Sequence, residues 1–464
     1  MPVFVIILYE KTQGSEYMKE QKMETMPINK LLLNMAAPMI LSMIIGALYN
    51  IVDSIFVSNY SEDALTAVSL AFPIQNIIVS LGTGVGVGVN ALLSRLLGEK
   101  KQNEVNKTAG NGLVLGATVY SILLIFGLFF VKSFYKIQTE NKSICDMGYS
   151  YLSVISIFSF GQIFQLIFER LLQSTGRTSF TMVTQITGAV INIILDPILI
   201  FGYLGFPSMG TKGAAVATVI GQIVAMILGI IFNLKFNKEI QISFKNIKLE
   251  KFYVKRICKV GIPAGITMFI SSIMSFGINK ILLGFSTTAA AVFGAYFKLY
   301  TFVSMAAFGL NNALISIVAY NLGTKKYDRI NKAIKLSGIY SALIGAIGLV
   351  LLQVLPKQIM QAFNASAAMT AIGVPALRIT SLSFVFACVS IMACYALQGL
   401  SIGTPSMIIS AARQVIILLP VAYFLGKAMG ATGVWWAFPI TELVVMIVAL
   451  ILLKQSLRKL TLSK

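Results

Sequence analysis

The sequence repeats itself once, at a spacing of 225 residues (263 minus 38). Pro38 corresponds to Pro263, and each proline lies near the start of a long apolar run. The motif Leu-Gly-x-Lys-Lys occupies residues 97–101 and again 322–326. A repeat of this length is far longer than a solenoid unit, which spans roughly 20–50 residues. In an apolar chain it indicates two homologous bundles of membrane helices.

The composition is that of a membrane protein. Hydrophobic residues make up 57% of the 464 residues, and charged residues only 12%. A net charge of +20 would suggest a nucleic-acid partner in a soluble protein. Here the basic residues occupy short loops between apolar runs, so membrane topology explains the charge and no nucleic-acid partner is expected.

Twelve apolar runs are long enough to cross a bilayer, which takes about 20 helical residues. The first half predicts spans at 31–57, 66–97, 106–131, 146–170, 178–202 and 212–234. The second half predicts spans at 257–284, 290–321, 331–354, 370–397, 405–425 and 431–453. The predicted fold is therefore an all-α polytopic membrane protein of 12 transmembrane helices.

The distribution of lysine and arginine predicts the topology. With the N-terminus inside, 27 of the 37 basic residues fall on the inner side and 6 in outer loops. This bias predicts a multi-pass protein of the cell membrane with both termini in the cytoplasm. Each half has six spans, an even number, so the two repeats are expected to be parallel.

The predicted spans divide the chain into five segments. A cytoplasmic tail precedes two six-helix bundles, which a basic cytoplasmic linker joins, and a basic tail follows. In order, the segments are residues 1–30, 31–235, 236–256, 257–453 and 454–464.

Polar residues at membrane depth cluster in the first half. Asp53 lies in the outer part of span 1, and Asn192 and Asp196 share one face of span 5 because they are four residues apart. Thr218 lies about two turns into span 6, at a similar depth. Carboxylate, amide and hydroxyl oxygens suit a hard cation or a proton, so these four residues are predicted to form a coupling-ion site for Na⁺ or H⁺. Alternatively, the two carboxyl groups are buried polar groups that satisfy each other or a kinked backbone.

Pro197 follows the second carboxylate and is the predicted point of helix bending. A proline cannot donate a hydrogen bond to the carbonyl four residues earlier, that of Ile193, and its ring crowds that turn. The freed carbonyl adds another oxygen beside the predicted ion site.

The repeat does not preserve this cluster. Asp53, Asn192 and Asp196 correspond to Ile278, Ile417 and Val421. The architecture is duplicated and the polar chemistry is not, so ion coupling is expected to reside in the first bundle.

Other polar and aromatic side chains within the spans suggest a cavity for substrate. Methionine and aromatic surfaces re-pack around different ligands. Glu442, near the middle of span 12, either contacts substrate or pairs internally with Lys298 or Arg378, whereas Arg413 is expected to snorkel to a membrane surface. The predicted cavity residues are Tyr49, Tyr296, Lys298, Tyr300, Met305 and Glu442.

Enzyme chemistry finds little support in the sequence. The chain contains no histidine, and its four cysteines show no metal-binding spacing. The glycines from Gly82 to Gly88 follow no strand and precede no Gly-Lys-Ser/Thr, so they do not form a phosphate-binding loop. Gly84 and Gly88 instead have the spacing of a close helix-packing motif. No cofactor is expected, and no metal other than a coupling Na⁺.

These motifs resemble those of the multidrug and toxic compound extrusion (MATE) transporters. The resemblance rests on Pro38, Asp53, the run from Asn192 to Pro197 and the paired Leu-Gly-x-Lys-Lys loops. The run Ala-Tyr-Phe-Lys at 295–298 resembles the bacterial DinF and MepA-like branch. The resemblance implies a V-shaped fold of two lobes around a central cleft, with the coupling-ion role on Asp53, Asn192, Asp196 and Thr218. One branch of the family also has acids in spans 7 and 10, which this chain lacks.

The sequence thus predicts a secondary active multidrug efflux antiporter. It would export small organic cations and drugs in exchange for Na⁺ or H⁺, by alternating access, as a monomer in the lipid bilayer. The alternative is a flippase for lipids or lipid-linked precursors. A flippase of that kind should have a strongly cationic cavity, and the charges predicted within the spans show only a weak basic excess.

Overall fold

The computed structural model describes residues 22–243, 246–363 and 365–462, and these residues form helices and connecting turns without a strand. Ten helices are long and apolar enough to cross a membrane, and two bent helix pairs bring the crossings to 12. Spans 1 to 6 are Ile28–Tyr60, Glu62–Gly98, Gln102–Phe129, the pair Lys142–Ile157 and Phe160–Ser174, Thr178–Phe201 and Thr211–Phe236. Spans 7 to 12 are Lys251–Leu283, Thr287–Gly323, Tyr327–Val354, the pair Ala367–Ser381 and Ser383–Gly399, Gly403–Met429 and Ala431–Leu462. The predicted all-α fold with 12 spans is confirmed.

Spans 4 and 10 are bent, by 42° and 43°. Serine hydroxyls bond to the backbone at both bends. Ser159 donates to the Ser156 carbonyl at 2.8 Å, and Ser383 donates to the Thr380 carbonyl at 2.6 Å. Such bonds give the backbone an alternative to the regular helix ladder and often bend helices. Hydropathy detects the length of an apolar run and not its curvature, so both bends were missed.

The two halves share local details as well as helix order. Ser61 and Ser286, 225 residues apart (286 minus 61), each cap a helix by accepting a hydrogen bond from the amide three residues later, at 3.0 Å. Lys100 and Lys325, in the two Leu-Gly-x-Lys-Lys loops, both have φ of 57°. The repeat in sequence is therefore a repeat in backbone conformation. We call the end of the bundle that carries these loops the basic end.

At the basic end the two halves exchange helix ends. The start of span 1, from Ile28 to Met39, packs into a core formed mainly by spans 8, 9 and 10 of the second half. In return Tyr253 and Ile257, at the start of span 7, pack into the core of the first half. We call spans 1–6 the first lobe and spans 7–12 the second lobe, although each completes its core with a helix end of the other.

Glycines permit the close contact between span 2 and span 7. A Cβ on Gly84 would lie 2.8 Å from the Gly261 carbonyl oxygen, and a Cβ on Gly261 would lie 2.6 Å from the Gly84 carbonyl oxygen. Neither position accepts a side chain without movement of the backbone. The close packing predicted for Gly84 is therefore present, and its partner is the other lobe.

The segment before span 1 is also folded against the second lobe. Residues 1–21 lie outside the described part of the chain, and Lys22–Thr25 form a short helix. Arg329 donates hydrogen bonds of 3.0 Å to the carbonyls of Met23 and Met26, and Lys326 pairs with Glu24 at 2.8 Å. This part of the predicted tail is ordered by charge and hydrogen bonding at the basic end.

Candidate functional site

Two carboxyl groups from different helices, one half-buried and one fully buried, face each other in the first lobe. Span 1 contributes Asp53 and span 5 contributes Asp196, and these two helices pack against each other. The carboxyl groups lie within hydrogen-bonding reach of each other. The Asp196 side chain has no exposed surface. Because span 1 also packs on the second lobe, Asp53 lies on the helix that links this centre to the rest of the molecule.

Asn192 and Thr218 complete the centre. The Asn192 amide donates to Asp196 Oδ1 at 3.3 Å and to Thr218 Oγ1 at 3.2 Å. Three buried oxygens have no hydrogen-bond donor: Asp53 Oδ1, Asn192 Oδ1 and Asp196 Oδ2. The structure thus brings together all four residues that the sequence placed at similar depth.

The charges of this centre are not neutralised by the protein. No lysine or arginine among the described residues forms a salt bridge with Asp53 or Asp196. Two ionised carboxylates at this distance repel each other, so the pair requires a bound proton or a cation. The unpartnered oxygens match the ligand preference of a hard monovalent cation. Within the described residues, no group of three His, Cys, Asp or Glu side chains is placed to hold a metal ion.

Tyrosines surround the carboxyl pair. Tyr49, one turn before Asp53, is close enough to interact electrostatically with both carboxyl groups. Tyr151 of span 4 lies near Asp53, and its hydroxyl accepts a hydrogen bond of 2.7 Å from Gln75 of span 2. Sequence reasoning missed Tyr151 and Gln75, because neither is charged and neither forms a recognisable motif.

Pro197 lies inside span 5, which continues as one helix from Thr178 to Phe201. The proline therefore interrupts the hydrogen-bond ladder at Ile193 without ending the helix.

The second lobe has a different polar centre, formed by Arg413 and Glu442. Arg413 Nε lies 3.3 Å from Glu442 Oε1, and Nη2 donates to the Tyr300 hydroxyl at 3.0 Å. The expectation that Arg413 snorkels is wrong, because the side chain is only 8% exposed and points into the lobe. A segment of π-helix, Ala412–Ile416, holds it there. The partner of Glu442 is therefore Arg413 and neither Lys298 nor Arg378.

The residues predicted to line one substrate cavity occupy different places. Tyr296, Tyr300 and Glu442 share a pocket of about 10 Å³, room for about one water molecule. Tyr49 belongs instead to the carboxyl pair of the first lobe. Lys298 is exposed, with its ammonium 6.0 Å from the centre of the Phe363 ring. Met305 is half-buried elsewhere on span 8.

Sequence reasoning also missed two buried charged residues that are adjacent in span 4. Glu169 accepts hydrogen bonds from Gln165, Thr184 and Gln185 at 2.7–3.0 Å. The adjacent Arg170 points towards the other lobe and donates to Asn312 at 2.7 Å. The predicted span ended at residue 170, which placed both charges at its very end, whereas the helix continues to Ser174. Both charged groups are satisfied by hydrogen bonds.

A duplicated bundle of helices long enough to cross a membrane is the architecture of many secondary transporters. The MatE family model matches residues 38–198 and 263–424, more than half of the chain. The chain belongs to this family, whose members are transporters and not enzymes. The two matched stretches begin 225 residues apart, the spacing of the internal repeat.

Relatives in staphylococci match along almost the whole chain. The Multidrug export protein MepA of Staphylococcus haemolyticus (strain JCSC1435) is 25% identical over 451 residues, covering 96% of this chain and 98% of that protein. MepA of Staphylococcus aureus (strain MRSA252) is 25% identical over 430 residues, covering 92% and 94%. The resemblance to the MATE transporters and their MepA-like branch is confirmed.

Solved structures share the fold. The outward-facing conformation of a multidrug resistance MATE family transporter of the MOP superfamily matches with a TM-score of 0.90 at 23% identity, covering 97% of this chain and 99% of that one. A MOP superfamily transporter from Pyrococcus furiosus, described as having a reversed polarity of its binding pocket, matches with a TM-score of 0.88 at 22% identity, covering 95% and 98%. This chain therefore shares its overall fold with both structures.

Proposed function

We propose that the protein is a secondary active antiporter that exports small organic cations and drugs in exchange for Na⁺ or H⁺. Asp53, Asn192, Asp196 and Thr218 form its coupling-ion site. Membership of the MatE family and the likeness to proteins named multidrug export proteins support efflux as the activity. The uncompensated carboxyl pair of the first lobe supports ion coupling, and it is the observation on which the proposal chiefly rests.

The geometry suggests how ion binding is linked to conformation. Asp53 and Asp196 lie on separate helices, and span 1 continues into the core of the second lobe. A cation or proton shared by the two carboxyl groups removes their repulsion and holds spans 1 and 5 together. Release of the ion restores the repulsion and favours separation of the helices, with Pro197 as the point where span 5 bends. The ion shifts the equilibrium by its difference in affinity for the two arrangements.

Substrate binding favours the other arrangement. An organic cation is attracted by the same carboxylates, and the aromatic ring of Tyr49 beside them can contact its apolar part. Ion and substrate then compete for one charge centre, which is sufficient for exchange. In this proposal Lys298 and Met305 are the second lobe's contribution to the cleft. Tyr296, Tyr300 and Glu442 line the small internal pocket beside Arg413 instead.

The surrounding assignments complete the proposal. The protein functions as a monomer in the cell membrane, with both termini and the basic end in the cytoplasm. The first bundle spans residues 31–235 and the second residues 257–453, joined by the basic linker at 236–256. Residues 1–30 and 454–464 are the cytoplasmic tails. The excess of basic residues on one side supports this orientation.

Efflux measurements with defined gradients test the proposal. The purified chain is reconstituted in liposomes that are loaded with ethidium. Efflux is measured with a Na⁺ gradient alone and then with a proton gradient alone. Efflux should follow one gradient in the parent. Asp53→Asn and Asp196→Asn should each lower ion-driven efflux by about 100-fold or more, because neutral amides cannot exchange a cation or proton.

Asp146→Asn is the matched control. Asp146 is an exposed aspartate of the same lobe, so this variant should keep parental efflux. Parental efflux in both site variants would make the carboxyl pair structural. Absence of dye efflux from the parent under either gradient would favour the flippase alternative.

A further inference from the structure

The second lobe contains a buried carboxylate that already has a cation beside it. Glu442 is 7% exposed, and its Oε1 lies 3.3 Å from Arg413 Nε. Its other oxygen, Oε2, has no hydrogen-bond donor, and the Nε–H of Arg413 has no acceptor in good hydrogen-bond geometry. Around the pair lies a pocket with room for about one water molecule, lined by Tyr296, Tyr300 and Gln414 among others.

The corresponding helices of the first lobe lack this pair. At the repeat spacing of 225, Arg413 corresponds to Gly188, and at the spacing of 220 that follows a shorter loop, Glu442 corresponds to Gln222. In the first lobe Gly188 packs against the backbone of Gly221, where a Cβ would lie 3.0 Å from the Gly221 carbonyl oxygen. In the second lobe the guanidinium therefore occupies a position at which the first lobe has two closely packed helices.

The backbone is modified to bring the guanidinium inside. Span 11 contains the π-helical segment Ala412–Ile416, whereas its counterpart, span 5, is α-helical throughout. π-Helical segments of this kind insert a residue into a helix and occur frequently at functional sites. Arg413 is further held by the Tyr300 hydroxyl at 3.0 Å and the Ala387 carbonyl at 3.4 Å.

We propose that Arg413 is a built-in cation: its guanidinium takes the place at Glu442 that a proton or a free monovalent cation would otherwise fill. The buried centre of the second lobe is thereby kept electrically neutral and exchanges no ion. All exchange of the coupling ion occurs at the carboxyl pair of the first lobe. The transport experiment that tests this inference rests on the proposed antiport, whereas the binding experiment does not.

The proposal predicts that removal of Arg413 creates a new ion-dependent site. Arg413→Met removes the charge and keeps much of the side-chain volume, leaving Glu442 to recruit a proton or Na⁺. Arg413→Met with Glu442→Gln removes both charges together. Arg378→Met, at an exposed arginine of span 10, is the matched control.

The other ionisable groups near Glu442 are tyrosines and cysteines, which are common to all the variants. They come from span 8, whose Tyr296 ring contacts the Phe438 ring of span 12, and from span 10, which packs against spans 11 and 12. These groups are Tyr296, Tyr300, Cys388 and Cys394. The difference between the single and the double variant therefore reports Glu442 itself.

The binding arm measures the melting temperature of the full chain in detergent from pH 5 to 9, with Na⁺ or with choline. Arg413→Met should melt on the order of 10 °C below the parent at pH 8 in choline, because a buried carboxylate loses its partner. Acid or Na⁺ should restore most of that loss. The double variant should show neither dependence beyond that of the parent, and Arg378→Met should match the parent.

The transport arm measures the charge moved per exported dye from the reversal potential in proteoliposomes. Arg413→Met should move one more cation per dye than the parent, and the double variant should return to the parental ratio. An Arg413→Met protein with parental melting and stoichiometry would overturn the proposal. So would an Arg413→Met protein that stays unfolded at every pH and Na⁺ concentration while the double variant folds. Loss of efflux from the parent would overturn the proposed antiport and leave the melting comparison intact.

Discussion

The two lobes share a scaffold and differ in charge. Both begin with a helix whose end packs into the opposite lobe, and both repeat the same serine caps and lysine loops. In the first lobe Asp53 and Asp196 face each other without a basic partner. In the second lobe Glu442 is paired with Arg413. The comparison shows that the two halves kept the same backbone geometry and differ in their ionisable centres. One centre has no basic partner, and the other contains its own.

Each design has a different consequence for stability. Because its two carboxyl groups need a proton or an ion, the stability of the first lobe should depend on pH and cation concentration. Because Arg413 supplies the positive charge at Glu442, the stability of the second lobe should not depend on pH or cation concentration in the same way. Removal of one partner is therefore expected to act in opposite directions in the two lobes, and the following experiments compare them from the largest expected effect to the smallest.

Removal of a carboxylate should strongly destabilise only the second lobe. Glu442→Gln leaves the Arg413 guanidinium buried without a counter-charge, at a cost of about 3–5 kcal/mol. Asp196→Asn removes repulsion from Asp53 and should leave stability unchanged or slightly raised. Thermal unfolding in detergent at pH 8 without Na⁺ measures both variants. Equal losses in the two variants would contradict the difference in electrostatic design.

An alanine at either of two glycines where helices of the two lobes meet should lower the stability of the protein by the same amount. A Cβ at Gly84 would lie 2.8 Å from the Gly261 carbonyl oxygen, and at Gly309, its repeat partner, 2.7 Å from Ile40 Cα. Gly84→Ala and Gly309→Ala should each cost about 1–3 kcal/mol, because backbone atoms must move apart.

Two helical glycines, Gly46 and Gly294, are the controls for that comparison, because an added Cβ would have no neighbour within 4 Å beyond its own stretch of helix. There an alanine should gain about 0.5–1 kcal/mol from lower backbone entropy in the unfolded chain. Unequal losses at Gly84 and Gly309 in chemical unfolding would show that the two exchanged contacts are not equivalent.

The smallest expected effect concerns the turns after spans 4 and 10. Gly176 has φ of 78° and its repeat partner Ser401 has φ of 61°, a conformation that favours glycine. Ser401→Gly should stabilise the protein by up to about 1 kcal/mol, and Gly176→Ala should destabilise it by about 1–2 kcal/mol. Melting temperatures of the two variants should therefore shift in opposite directions. A fall in Ser401→Gly would mean that the serine side chain contributes more than its strained backbone costs.

Much of the fold could be predicted from the sequence, because hydropathy is a local signal and the repeat is visible when the sequence is aligned with itself. The twelve spans followed from apolar length, and the proximity of Asp196 and Asn192 followed from their four-residue spacing. The position of Arg413 could not be predicted, since it depends on a π-helical segment that no residue pattern announces. The closeness of Arg413 to a helix end wrongly suggested a position at the membrane surface.

Long-range packing was equally inaccessible. Nothing in the sequence indicates that the start of span 1 packs on span 8, because that contact joins residues far apart in the chain. Arg170 shows the same limit, since its bond to Asn312 depends on how the lobes meet.

The exchanged helix ends have a consequence for how the chain is made. The apolar face from Ile28 to Met39 enters the membrane early, but its partner residues begin at Leu310, about 270 residues later. At typical synthesis rates of ~5–20 residues per second, that face waits about 15–55 s for its partner. The first lobe cannot complete its packing until the second is inserted, so the ribosome delivers two halves that mature only together.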